Sequence, residues 1–165
     1  RRADLNLRLP TFQKFRTVTP RHDTMSTKTL PDKPSELITV ALKHLRECET
    51  DTRYKVKMQH WHTPSLEEDV CMICWAGAVM AKGLESQCDQ FRIPGHFKDE
   101  SQKLEALDEF RIGSLTVGLT RLRVKLPKSV KIFEDKERFH HYDEDRNAWY
   151  AYMEKFTGKL QEAGL

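Results

Sequence analysis

The sequence predicts a mainly α-helical fold, a compact multi-helix domain packed around one buried central helix. The chief observation is the run Val70–Ala81, which carries no charged residue in a chain that is 32% charged. Such a run is too short to span a bilayer, which takes about 20 apolar residues, and it is longer than most buried strands. Two further stretches, 37–48 and 149–160, repeat apolar residues at helical spacing.

The central helix is expected to start just before this run and to end near Gly83. Ser65 and Glu68 stand at capping-box spacing upstream of it. Gly77 inside a helix costs about 1 kcal/mol relative to Ala. We therefore expect a neighbouring element to approach closely at Gly77.

Start and stop signals mark the other helices. Pro34 favours a first helical turn, and apolar side chains follow it at helical spacing as far as Cys48. His44 falls on this apolar stripe, which predicts a packed, hydrogen-bonded histidine. Gly113 and Gly164 are placed as helix ends. Further helices are expected on three apolar repeats: Leu104, Leu107, Phe110; Leu115, Leu119, Leu122; and Trp149, Tyr152, Met153, Phe156, Leu160.

Two segments lack a helical pattern. Tyr54–Met58 alternates apolar and basic residues, which favours a short strand or an extended connector. Residues 121–131 concentrate basic side chains around Pro127, which indicates an exposed connector. Within it, Arg121, Arg123 and Lys125 are candidates for contacting phosphates; the alternative is a solvated connector beside acidic neighbours.

The charge distribution separates an N-terminal arm from the rest of the chain. The whole chain has a net charge of +3, but residues 1–24 hold six Arg or Lys against two Asp. We expect residues 1–24 to be a flexible basic arm and residues 25–165 to be one helical domain. The neutral domain argues against a nucleic-acid binder as a whole, and leaves nucleic acid as a partner for the arm.

Cysteine usage predicts a cytoplasmic protein with reduced thiols. The four cysteines show no secreted-scaffold spacing, and the sequence has no signal-peptide core. No apolar stretch reaches transmembrane length, so a membrane is not expected as a partner.

Cys71 and Cys74 are the first candidates for chemistry. On a helix they would share a face, because they are three residues apart. Three acidic residues directly before them oppose the thiolate that a redox motif needs. A second possibility is zinc, with His60, His62, Cys71 and Cys74 as a tetrahedral ligand set. The simpler interpretation is that both cysteines are small core residues and that no cofactor is bound.

A third possibility is a cysteine nucleophile. The segment Cys71-x-x-Cys74-Trp75-Ala76 resembles the active-site segment of papain-like proteases, although Met72-Ile73 replaces the Gly-Ser of that family. The resemblance implies a hydrolase in which Cys71 or Cys74 acts with His140 or His141 as its base. We treat this enzyme as the alternative to a protein that works by binding.

His60, Trp61 and His62 are the candidate binding residues. They place three large amphipathic side chains directly before Thr63-Pro64. Trp61 either packs against the central helix or anchors a partner, since Trp is enriched at interface hot spots. Packing is the expectation for Trp61, which leaves His60 and His62 as the more exposed functional candidates.

Several motifs resemble a group of uncharacterised small accessory proteins of tailed bacteriophages. These motifs are Trp61-His62-x-Pro64, Cys71-x-x-Cys74-x-Ala76-Gly77-Ala78-Val79-Met80-Ala81-Lys82, Leu107-Asp108-Glu109-Phe110-Arg111-x-Gly113 and Leu160-x-x-Ala163-Gly164-Leu165. The resemblance covers most of residues 35–165. It implies a protein that binds a host protein or a defence system in the cytoplasm of the infected bacterium.

Overall fold

The computed structural model describes residues 29–86 and 100–165. The predicted basic arm (1–24), Cys88 and the loop at 92–96 lie outside the described residues. Within the described ranges the fold is mainly helical with one small sheet, which confirms the predicted fold class.

Helices dominate both described ranges. In chain order the elements are α1 (Pro34–Thr50), β1 (Tyr54–Val56), β2 (His62–Pro64), β3 (Cys71–Ile73), α2 (Trp75–Ala78) continued by a π-helical turn (Val79–Gly83), α3 (Ser101–Arg111), α4 (Leu115–Arg121), α5 (Lys128–Lys136) and α6 (Arg146–Glu162).

The predicted starts and stops agree with several of these bounds. Pro34 opens α1, and Asp145 caps α6 by accepting a hydrogen bond from the Ala148 N–H at 2.9 Å. Gly113 and Gly164 follow α3 and α6 with φ of 84° and 77°, the left-handed conformation typical of residues just beyond a helix. His44 packs against Gly83 and bonds Glu47 at 3.0 Å, as expected for a packed histidine.

The three strands form one sheet in the order β1-β3-β2. β1 runs parallel to β3, and β2 runs antiparallel to it. The short strand predicted within Tyr54–Met58 is therefore present as β1. Each strand has only three residues, so the sheet is a small platform beside the helices.

The predicted central helix is buried as expected but begins later. Cys71–Ile73 is a strand, and α2 starts only after Cys74, so a helix beginning at Val70 is wrong. A charge-free run suits a buried strand and a buried helix equally, and pairing on both edges of β3 decides for the strand. Ser65 accepts from the N–H groups of Glu67 and Glu68, but these belong to the β2–β3 turn and not to a helix.

Helices α1, α2, α3 and α6 enclose the core. Trp75 of α2 meets Trp149 of α6 edge to face, with ring centroids 5.2 Å apart. Phe110 of α3 meets Phe156 of α6 in the same way at 5.3 Å. These rings belong to one continuous cluster of buried side chains.

The expected connector at 121–131 is only partly correct. Residues 122–127 form a turn followed by an irregular connection, but α5 begins at Lys128 and buries Val130 and Phe133. The helix has three apolar residues, Val130, Ile132 and Phe133, and Ile132 is exposed. Burial of Phe133 against Tyr152, with ring centroids 5.1 Å apart, holds it in place.

Candidate functional site

The thiols of Cys48 and Cys74 are enclosed in the core. Neither is exposed, and both are free. Burial raises the pKa of Cys74 to about 11 and that of Cys48 to about 12, so both are neutral thiols near pH 7. Cys71 is also buried but disulfide-bonded, so the expectation of reduced thiols is wrong for Cys71.

Cys71 and Cys74 do not share a helical face. Cys71 lies in β3, whereas Cys74 is the N-cap of α2 and accepts the Gly77 N–H at 3.4 Å. Since Cys74 is a free thiol, it is not the disulfide partner of Cys71. The geometry assumed for a redox pair is therefore wrong.

The position of Cys74 does not support the papain-like hydrolase alternative. Its thiol does precede a helix, but the sulfur is closed off from solvent. His140 and His141 lie in the segment before α6, where the His141 ring packs edge-on against Phe139 at 5.1 Å.

The structure divides the tripeptide His60-Trp61-His62. His62 lies in β2 and is only 1% exposed, so its expected exposure is wrong. Its Nδ1 bonds the Ser86 Oγ at 2.9 Å, a contact between residues 24 positions apart that no local motif signals. Trp61 is partly buried against the core, and the side chain of His60 is half-buried.

The zinc alternative also lacks a preformed site. Among the described residues, no group of three or more His, Cys, Asp or Glu side chains could hold a metal ion. Of the four candidate ligands, His62 is bonded to Ser86 and Cys71 is in a disulfide.

A polar cluster joins the far end of α1 to α6. Glu49 accepts hydrogen bonds from the hydroxyl groups of Tyr142 and Tyr150, the latter at 3.1 Å. Arg146 lies 3.9 Å from the same carboxylate. Burial raises the pKa of both phenols well above the usual range, so they remain hydrogen-bond donors. These contacts indicate a structural role for the cluster.

A groove between α1 and α6 is the concave feature that the sequence did not predict. Its volume is 570 Å³, within the range of ligand-binding clefts. The Arg46–Glu154 ion pair, at 2.5 Å, bridges the two helices. The groove is lined by Thr39, Leu42, Lys43, Arg46, Glu47, Thr50, Glu154, Thr157, Gly158 and Gln161.

Gly158 belongs to the lining of this groove. Apart from the nearby backbone of α6 itself, a Cβ atom placed on Gly158 would have no described atom within 4 Å. The hydroxyl groups of Thr39 and Thr157 bond carbonyl groups of their own helices, at 2.8 Å in each case. These two hydroxyl groups are thus already engaged, and the groove remains open at Gly158.

The predicted phosphate contacts split into engaged and unengaged cations. Arg121 lies 2.8 Å from both Glu105 and Glu109 of α3. Arg123 and Lys125 are exposed, and their side chains form no hydrogen bond or ion pair within the described ranges. Arg121 therefore supports the fold, and the other two remain candidates.

Comparison with known proteins assigns no family. No family model, curated protein or solved structure matches the chain. None of the helices described between residues 29 and 165 is both long and apolar enough to cross a membrane.

Proposed function

We propose that this chain is a phage accessory protein that acts by binding a protein of the infected bacterium. The observation that carries the proposal is the open groove between α1 and α6, with Gly158 in its lining. The resemblance to phage accessory proteins in the motifs of residues 61–165 supports the choice of partner.

Gly158 favours a binding role because its absent side chain serves no contact within the described structure. A glycine inside a helix is less stable than alanine by about 0.5–1 kcal/mol. Gly77 and Gly118 are different, since a Cβ on either would collide with atoms of the chain. At Gly158 the missing side chain instead leaves room for the surface of a partner.

The buried thiols support binding over cysteine catalysis. A nucleophilic cysteine needs exposure and a lowered pKa. Cys74 has neither, because it is fully buried and its pKa is raised to about 11.

The test fills the groove without disturbing the core. Gly158→Leu places a side chain in open space, so the variant should fold at least as stably as the parent. Ala151→Leu is the matched control, since Ala151 is an exposed α6 residue outside the groove. A bacterial protein that the parent chain retains from a cell lysate is first identified and purified. It is then titrated against the parent and against both variants by calorimetry.

We expect Gly158→Leu to weaken this interaction by about tenfold or more, as a blocked interface contact would. Ala151→Leu should bind like the parent. Equal binding by the parent and Gly158→Leu, or failure of the purified protein to bind the parent, would refute the proposal.

A further inference from the structure

We propose that Arg123, Lys125 and Lys128 form a contact surface for the phosphate backbone of a nucleic acid. These cations lie in residues 122–128, between α4 and the start of α5; we call this stretch the basic segment. The inference is independent of the α1–α6 groove and of any protein bound there.

The basic segment presents its cations outward from a fixed base. Leu122, Val124 and Leu126 are half-buried and pack against the core. Arg123 and Lys125 alternate with them and are exposed. Because the apolar residues anchor the segment, the charged residues are displayed on an ordered surface.

The acidic residues near the basic segment are already paired with other cations. Arg121 engages Glu105 and Glu109 on one side of the segment. On the other side, Lys131 lies 3.0 Å from Asp135 and 3.7 Å from Glu134.

The three cations themselves remain uncompensated. The side chains of these three residues have no hydrogen-bond or ion-pair partner among residues 29–86 and 100–165. The residues are Arg123, Lys125 and Lys128. Residues 25–165 hold 22 Arg or Lys and 23 Asp or Glu, so these three cations form a local excess of positive charge on a nearly neutral domain.

Two of these cations occupy positions that do not favour them. Arg123 has φ 56°, a left-handed conformation at the end of α4 where glycine is usual. The Val124 N–H donates to the Leu119 carbonyl at 3.0 Å, which completes this helix-ending turn. Lys128 is the first residue of α5, and no acidic residue lies in that first turn. A positive charge is unfavourable at a helix N-terminus. Neither side chain stabilises the helix end at which it lies. We therefore infer that both residues serve an interaction and not the fold.

Phosphate contact accounts for this surface better than a protein interface. Lysine is depleted in protein–protein interfaces, which rely on central apolar or aromatic anchors. Here the apolar side chains of the segment face the core. Phosphate groups require only accessible positive charge, and affinity then falls steeply with salt.

The first test measures the salt dependence of binding by the full chain. Fluorescence anisotropy reports binding to a labelled DNA duplex of about 20 base pairs at about 50 to 200 mM salt. The test variant is Arg123→Gln/Lys125→Gln/Lys128→Gln. The matched control, Lys33→Gln/Lys57→Gln/Arg138→Gln, removes three exposed cations elsewhere. A second control, Arg2→Gln/Arg8→Gln/Arg16→Gln, removes the same charge from residues 1–24.

Three lost phosphate contacts should reduce the slope of log K against log salt by about 2.7 for duplex DNA. We expect this reduction in the test variant and not in Lys33→Gln/Lys57→Gln/Arg138→Gln. Absence of binding by the parent, equal slopes in these two variants, or a loss confined to the arm variant would overturn the proposal. Competition by polyglutamate as effective as that by unlabelled DNA would also overturn it, in favour of an acidic protein.

A single substitution separates binding from folding. Arg123→Gly removes the side chain but suits the left-handed conformation at this position. The melting temperature should be unchanged or higher, while the salt slope falls by about 0.9. An unchanged slope in this folded variant would overturn the assignment of Arg123.

Discussion

Gly77 lies directly against the main-chain carbonyl of Trp61. A Cβ atom built on Gly77 would be 1.3 Å from the Trp61 oxygen and 3.2 Å from the Ile73 Cβ. The close neighbour expected at Gly77 is therefore present, but it is the chain leading into β2 and not another helix. The contact fixes Trp61 and α2 relative to each other.

The first prediction compares two helical glycines. Gly77→Ala should lower the free energy of unfolding by about 1–3 kcal/mol, because the backbone at Trp61 has to move. Gly158→Ala should raise it by about 0.5–1 kcal/mol, because open space surrounds that position. Urea denaturation of both variants measures the two changes. Equal effects at the two glycines would contradict the packing described at Gly77.

The second prediction concerns the carboxylate of Glu134. It accepts the Thr116 N–H at 3.0 Å and the Thr116 hydroxyl, and so caps the first turn of α4 from α5. Glu134→Ala should lower the free energy of unfolding by about 1 kcal/mol, the usual effect of losing a helix cap. Asp135→Ala is the control, since the Asp135 carboxylate is exposed and forms an ion pair with exposed Lys131 at 3.0 Å. If the two variants have the same stability, Glu134 is not a cap.

The third prediction is a pH dependence at Asp51. Hydrogen bonds from Arg53 and Lys82, both at 2.6 Å, hold the pKa of Asp51 below its ordinary value of 3.8. A lowered folded-state pKa stabilises the fold above the unfolded-state pKa, and this stabilisation is lost as the pH falls through the folded-state pKa.

The variant Asp51→Asn isolates this contribution. The parent should be more stable than the variant near pH 7, and the difference should narrow as the pH falls below about 4. Acid titrations of both proteins, followed by denaturant unfolding at each pH, measure the difference. A difference that stays constant over this range would rule out the ionised Asp51 as its source.

The fourth prediction concerns thiol reactivity. Cys48 and Cys74 are buried with raised pKa values, so alkylation near pH 7 should be slow in the native protein and fast after unfolding. Mass spectrometry of iodoacetamide-treated protein, with and without guanidinium, checks this for each residue. Rapid native labelling of Cys74 would revive the hydrolase alternative.

Helix ends were more predictable than the identity of the central segment. Pro34, Gly113 and Gly164 act through their own backbone preferences, which a sequence displays directly. Cys71–Ile73 becomes a strand because β1 and β2 pair with it from either side. Such pairing between distant residues leaves no local signal, so the charge-free run indicated burial but not its form.

The candidate sites also divide into features that local sequence predicts and features that depend on contacts between distant residues. Exposure of Arg123 and Lys125 could be predicted, because a basic segment with a proline favours the surface. Burial of His62 could not, since it depends on packing around β2 and on Ser86. The α1–α6 groove was also missed, because it arises only when two helices from opposite ends of the described chain meet.

The pairing of α1 with α6 has a consequence for synthesis of the protein on the ribosome. Arg46 and Glu154, which join these helices, are 108 residues apart. At roughly 5–20 residues per second, α1 is made about 5–20 s before its counterpart. During that interval the side of α1 that faces α6 lacks its native packing partner, so the core cannot be completed before α6 has been translated. Nascent chains stalled before residue 146 should therefore recruit chaperones that bind apolar helices.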